Sequence, residues 1–167
     1  MKIIIIFDNF GPYHVARLSS LAKHCDLTAI ELRAESLEYA WGVAESTPFT
    51  RVTLRNASMD QLLQALDVSS PDVVFVPGWS DAAALVALDW ADRQGIPAVV
   101  MSDSQEIDFP RVFWKEQIKR WALASAAGFL VAGCTHRDYA VKLGANPDRI
   151  RLGYDAVDNA YFSSGAE

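Results

Sequence analysis

Lys2-Ile3-Ile4-Ile5-Ile6-Phe7-Asp8-Asn9-Phe10-Gly11-Pro12-Tyr13-His14 begins one residue into the chain. Ile3 to Phe7 is an unbroken run of β-branched and aromatic residues. Such a run suits a strand covered on both faces, as in a parallel sheet; alternation shows only where one face meets water. Asp8 to Pro12 is a turn cluster. From Tyr13 to Lys23 the apolar residues fall at helical spacing, with Val15, Leu18 and Leu21-Ala22 on one face. Strand, loop and helix in that order open a βαβ unit.

The same alternation continues outward from this stretch. Leu27 to Leu32, Thr50 to Leu54, Val73 to Val76, Ile96 to Met101, Gly128 to Ala132 and Ile150 to Leu152 read as strands. Helices are expected over Met59 to Leu66 behind the Ser58 cap, from Ser80 or Asp81 through Asp92, over Phe109 to Ala126, and over Thr135 to Leu143. Gly95 and Gly144 fit the positions that end two of them. Ala34 to Pro48 has no clear pattern. The expected fold is α/β, a Rossmann-like doubly wound and mostly parallel sheet. One domain is expected over 1–162, with 163–167 a tail or the start of a linker.

The 167 residues suit a single domain, and 51% hydrophobic with 22% charged residues is ordinary for a globular one. A net charge of −6 argues against a nucleic-acid partner, which needs a broad basic surface. Cys25 and Cys134 lie far apart with no metal-ligand spacing, so they read as reduced thiols. The apolar start is too short for a signal peptide, and no stretch is long enough to span a bilayer. A cytoplasmic protein is expected.

In doubly wound folds ligands bind beyond the carboxyl ends of the strands. Four loops belong there: Asp8 to His14, Pro77 to Ser80 (with Trp79), Ser102 to Asp108, and Gly133 to Arg137. The first is neither a Gly-x-Gly-x-x-Gly fingerprint nor a Walker loop, which argues against NAD and ATP. Gly11 before a helix could still let backbone amides meet a phosphate, or make a simple tight turn. His14, in the first helical turn, could touch a sugar or phosphate, or be structural. Ser102-Asp103-Ser104-Gln105-Glu106-Ile107-Asp108 places three carboxylates at a strand end. Asp103 or Glu106 could orient or deprotonate a hydroxyl; helix capping and dipole compensation is the alternative. No metal site is expected, since Asp8-Asn9-Phe10 lacks a second acid.

Arg111, Lys115 and Lys119 recur every four residues and form a basic stripe on the next helix. Phe113, Trp114, Ile118, Trp121 and Leu123 fill much of the remainder. They suit a core-facing stripe with solvated charges, or a helix lying on an anionic membrane or phosphorylated lipid headgroup.

Several segments together carry a resemblance. They are Gly11-Pro12-Tyr13-His14 after the first strand, Pro71-Asp72-Val73-Val74-Phe75-Val76, Gly95-Ile96-Pro97-Ala98-Val99-Val100, Asn146-Pro147-Asp148-Arg149-Ile150, and Gly153, Asp155, Asp158 and Phe162 near the end. In this order they resemble the N-terminal domain of family-4-type (group 1) retaining glycosyltransferases of the GT-B fold, over nearly the whole chain.

The resemblance implies an acceptor-side half facing a C-terminal donor-binding domain or subunit. A nucleotide-sugar would be the co-substrate, and no cofactor or metal would be needed. It places Gly11 and Pro12 toward the donor diphosphate and Asp103 and Glu106 at the chemistry. Tyr13, His14, Trp79, Ser102, Ser104, Arg111, Lys115 and Arg137 would lie toward a polysaccharide or lipid-linked acceptor. Two departures stand out. Ser102-Asp103 replaces the histidine-aspartate pair of many relatives, and no Glu-x₇-Glu donor motif occurs. The chain alone is therefore expected not to transfer sugar, because half of the cleft that holds the reactants together is missing. A non-catalytic ligand- or protein-binding module is the alternative.

Overall fold

A computed structural model describes residues 1–33, 47–54, 58–108, 112–157, 159 and 163. Among the described residues seven strands form one sheet: β1 (Lys2–Phe7), β2 (Asp26–Glu31), β3 (Thr50–Thr53), β4 (Val73–Pro77), β5 (Ala98–Ser102), β6 (Gly128–Val131) and β7 (Ile150–Leu152). Their order is β3-β2-β1-β4-β5-β6-β7, and every pairing is parallel. The described helices are α1 (Pro12–Leu21), α2 (Met59–Ser69), α3 (Ala82–Gln94), α4 (Phe113–Ala124) and α5 (Cys134–Leu143), with a 3₁₀ turn at Pro147–Arg149.

The order explains the uninterrupted apolar run of β1. From β1 to β3 the chain steps one way across the sheet, and from β3 to β7 it steps back. Right-handed crossovers then place helices on opposite faces. Ile3, Ile5 and Phe7 join Leu18 of α1, Leu27, Ala29 and Met101 in one core. Ile4 and Ile6 join Val74, Val76 and Val100 in the other, under α2, α3, α4 and α5. Both sets are buried, so alternate residues have the same chemistry although they face opposite ways.

Most helix ends follow the chain's own signals. The Ser58 hydroxyl accepts from the Gln61 amide, and the Asp81 carboxylate accepts from the Ala83 amide at 2.8 Å. Gly95 and Gly144 close α3 and α5 at φ of 66° and 111°, where a side chain would be strained. Ser70 ends α2 at φ 43°. There Pro71 follows directly and cannot continue the helix.

The sequence spacing misjudges α4. Its buried face is small, Ala122 and Leu123, and is completed by polar groups. Lys119 Nζ donates to Tyr139 Oη on α5 at 2.7 Å and to Glu116 at 2.8 Å, while Tyr139 Oη lies 3.1 Å from Glu116. Phe113, Trp114, Ile118 and Trp121 are exposed. The basic stripe therefore splits: Lys119 turns in toward α5, Lys115 stays outside, and Arg111 lies outside the described residues. Asp158 and Phe162 of the closing motif also lie outside them.

Candidate functional site at the carboxyl rim of the sheet

All seven strands end on one rim because all are parallel. The strand order reverses between β1 and β4, so the loops after these two strands diverge to opposite faces and leave a crevice.

The loop after β1 is held from below. Glu31 ends β2 and is 1% exposed. Its carboxylate accepts from the Phe10 amide at 2.8 Å, the Thr53 hydroxyl at 3.0 Å and the Arg51 guanidinium at 2.7 Å. The Arg51 guanidinium also lies 5.0 Å from the Phe10 ring centre. A buried carboxylate survives only with such partners. Arg33 joins this loop to the next, pairing with Asp8 and with Asp81 at the start of α3.

Gly11 caps α1 and Pro12 takes its first position. The Gly11 amide donates to His14 Nδ1 at 3.1 Å, so the proton of the neutral ring sits on Nε2. The imidazole lies 4.4 Å from the Phe7 ring, centre to centre. Burial, and secondarily the Arg17 charge, push the His14 pKa down to about 4. His14 is thus a neutral clasp on its own helix end, and the Gly11 amide is already engaged.

Across the crevice, the Ser102 hydroxyl is buried and accepts from the Ser104 amide at 3.2 Å, folding the chain after β5. Asp108 accepts from the Gln105 amide at 2.7 Å, and Glu106 pairs with Lys142 of α5. Two of the three acids in this loop are therefore engaged in the fold. Asp103 lies within electrostatic reach of Tyr154 and Asp155, which follow β7.

There it meets groups that the sequence reading did not single out as a site. Tyr154 and Asp155 follow β7. Gly153 sets their direction at φ 105°, while the Gly153 and Tyr154 amides both donate to the Val131 carbonyl. The Arg17 guanidinium donates to the Tyr154 carbonyl and lies 5.2 Å from its ring centre. Burial pushes the Tyr154 phenol up to about 12; Arg17 opposes this, and the Asp103 and Asp155 carboxylates add to it. The Asp155 carboxyl is held above its usual range by partial burial and then by Asp103, against Arg17 and His136. Asp103, Arg17 and His136 are therefore each within electrostatic reach of Asp155. Arg17 and Tyr154 also border an apolar groove of about 510 Å³, floored by Phe7, Phe75, Met101 and Leu130.

The remaining expected residues lie elsewhere. Trp79 is 7% exposed and belongs to the core of the α2–α5 face, leaving little of its ring to a ligand. Lys115 is on the outer side of α4, its amine 5.4 Å from the Trp114 ring centre. Arg137 is at the exposed start of α5, 3.9 Å from Asp138. Tyr13 is exposed on α1, and its carbonyl accepts from Arg17 Nε at 3.3 Å. Among the described residues no group of three His, Cys, Asp or Glu side chains is placed to hold a metal. Asp155 lies three residues beyond the end of β7, and His136 lies within the Gly133 to Arg137 stretch already expected at the rim; those positions were the available signal.

No family model matches the chain, and no curated protein matches it in sequence. Solved structures do match in fold. The UDP-N-acetylglucosamine 2-epimerase of Rickettsia bellii superposes with a TM-score of 0.60 at 16% identity, over 90% of this chain and 43% of its own. The Neisseria meningitidis UDP-GlcNAc 2-epimerase bound to UDP-GlcNAc gives 0.60 at 14% identity, over 91% and 45%. The Anabaena protein HepE in complex with UDP-glucose gives 0.67 at 11% identity, over 95% and 44%. The chain thus spans less than half the length of these proteins and shares the fold of one GT-B-like half.

Proposed function

We propose that this chain is the acceptor-side half of a nucleotide-sugar enzyme, and that it serves a retaining glycosyltransferase acting on a polysaccharide or lipid-linked acceptor. The observation that supports this most is that Asp103, Arg17 and His136 each come within electrostatic reach of Asp155 at the rim of a GT-B-like half-domain. Two of its structural neighbours hold UDP-sugars. In this reading Asp103 orients the acceptor hydroxyl and receives its proton, and Asp155 shares the charge of the pair. His14 and Gly11 shape the wall beside the donor diphosphate rather than binding it through a free amide. The donor-binding half completes the cleft. Without it the reactants are not held together.

A second reading comes from the neighbours' names together with the carboxylate pair. Two acids in mutual reach, one held above its usual range, suit removal and return of a proton in an epimerase. One assay separates the two. The 167-residue chain, and the longest product of its gene, are given UDP-glucose or UDP-GlcNAc with candidate acceptors. Transfer predicts UDP release by the longer product alone, and epimerisation predicts a UDP-sugar of unchanged mass and inverted carbon. Robust sugar transfer by the 167-residue chain alone would sink the half-enzyme reading.

A further inference from the structure

Helix α4 is inverted relative to an ordinary surface helix. Its inward side is Ala122, Leu123 and the Lys119–Glu116–Tyr139 knot. Its outward side carries Phe113 at 79% exposure, Trp114 at 58%, Trp121 at 43% and Ile118 at 37%. At roughly 100° per residue these four span an arc of roughly 140°. Arg120 lies about 20° outside one end of that arc and Lys115 about 60° outside the other, and both are exposed. Isolated exposed apolar residues need no explanation, but four on one helix face mark a surface that is covered in use.

The charge pattern indicates what covers it. The whole chain carries −6, yet Phe113–Ala124 holds Lys115, Lys119 and Arg120 against Glu116, or +2 from 3 − 1. Two tryptophans and a phenylalanine between flanking basic residues match a helix lying in a membrane interface. There indole rings sit at headgroup depth, and lysine and arginine stems reach up to lipid phosphates. Lys115 already lies along the Trp114 ring in this way, 5.4 Å from its centre. Among the described residues no helix is long and apolar enough to cross a membrane, so any attachment through α4 is in the plane of the surface.

We infer that the outer face of α4 docks on an anionic membrane surface, with Phe113, Trp114, Ile118 and Trp121 inserted and Lys115 and Arg120 on lipid phosphates. This inference is independent of the nucleotide-sugar reading, since it concerns a different face and a different assay.

The test is sedimentation of the 167-residue chain with vesicles of phosphatidylcholine, and with vesicles of equal parts phosphatidylcholine and phosphatidylglycerol. The chain is expected to bind the anionic vesicles, with a blue shift of tryptophan emission. Trp79 and Trp90 are buried already, and Trp41 lies outside the described residues, so the part of the shift that Trp114→Ser with Trp121→Ser removes is the part that reports α4. Trp114→Ser with Trp121→Ser should weaken binding at least tenfold. Lys115→Glu with Arg120→Glu should weaken it on the order of twentyfold and remove the preference for anionic vesicles. All four side chains are exposed, so the melting temperature should hold and show that the variants are folded. Absence of binding to either vesicle overturns the inference, as does binding that survives both double substitutions. Self-association of the chain in solution that Trp114→Ser with Trp121→Ser abolishes would also overturn it, by assigning the face to a protein contact.

Discussion

Acidification should destabilise this domain through His14 before most carboxylates titrate. In the unfolded chain the imidazole takes up its proton near 6.5, and in the fold only near 4. Between those values the unfolded state binds more protons, so stability rises with pH there and is lost as pH falls. With these two values, the loss from about pH 8 to about pH 5 is about 2 kcal/mol. Protonation would end acceptance of the Gly11 amide by Nδ1 and place a cation beside Phe7 and Arg17. For a domain of this size the loss corresponds to about 4–8 °C in Tm. The control is His14→Gln. A glutamine at the third helical position can still reach back to the cap amide but does not titrate. Asp155, held above its usual range, works the other way, since acid relieves its charge. That contribution is common to both proteins and cancels in their difference. Thermal melts across the range should show a slope in the wild type that His14→Gln largely lacks. Equal slopes would refute the account, as would a histidine NMR titration of residue 14 near the ordinary value.

Other outcomes follow from the same contacts. Glu31→Ala should cost about 3–5 kcal/mol by denaturant unfolding, because it strands the Arg51 guanidinium and the Phe10 amide in a buried place. Tyr139→Phe should cost about 1–3 kcal/mol and raise amide exchange in α4 more than in α3, since the hydroxyl joins α4 to α5 through Lys119 and Glu116. Leu66→Ala, at a fully buried position of α2, should cost about 2–5 kcal/mol. Under the proposed function, Asp103→Asn in the complete enzyme should lower turnover at least a hundredfold with little change in Tm; unchanged turnover removes Asp103 from the chemistry.

The fold was legible because its signals are local. The Ile3–Phe7 run, the Ser58 cap, Gly95 and Gly144 each report on a few neighbouring residues, and the structure keeps all of them. The parallel order followed from strands alternating with helices. What the sequence concealed was direction. Two apolar arcs run along α4, and spacing alone cannot show that the one with Ala122 and Leu123 faces in while the tryptophans face out. Trp79 reads as a loop residue, yet its ring lies in the core. The candidate site was half legible. Asp103 was visible as an acid at a strand end. Asp155, and the Arg17 and His136 that act on it, come from three other elements, and only the sheet order brings them together.

Glu31 carries one more consequence. It ends the second strand, twenty residues beyond Gly11. Dinucleotide-binding domains keep an acid at about that place, free to grip a ribose diol. Here the carboxylate is turned inward and spent on Arg51, Thr53 and the Phe10 amide. A ribose approaching that edge meets no free acceptor from this strand. Remaking the domain as a dinucleotide binder would have to begin by releasing this acid from Arg51 and Thr53. Restoring the glycine pattern of the first loop would come only after that.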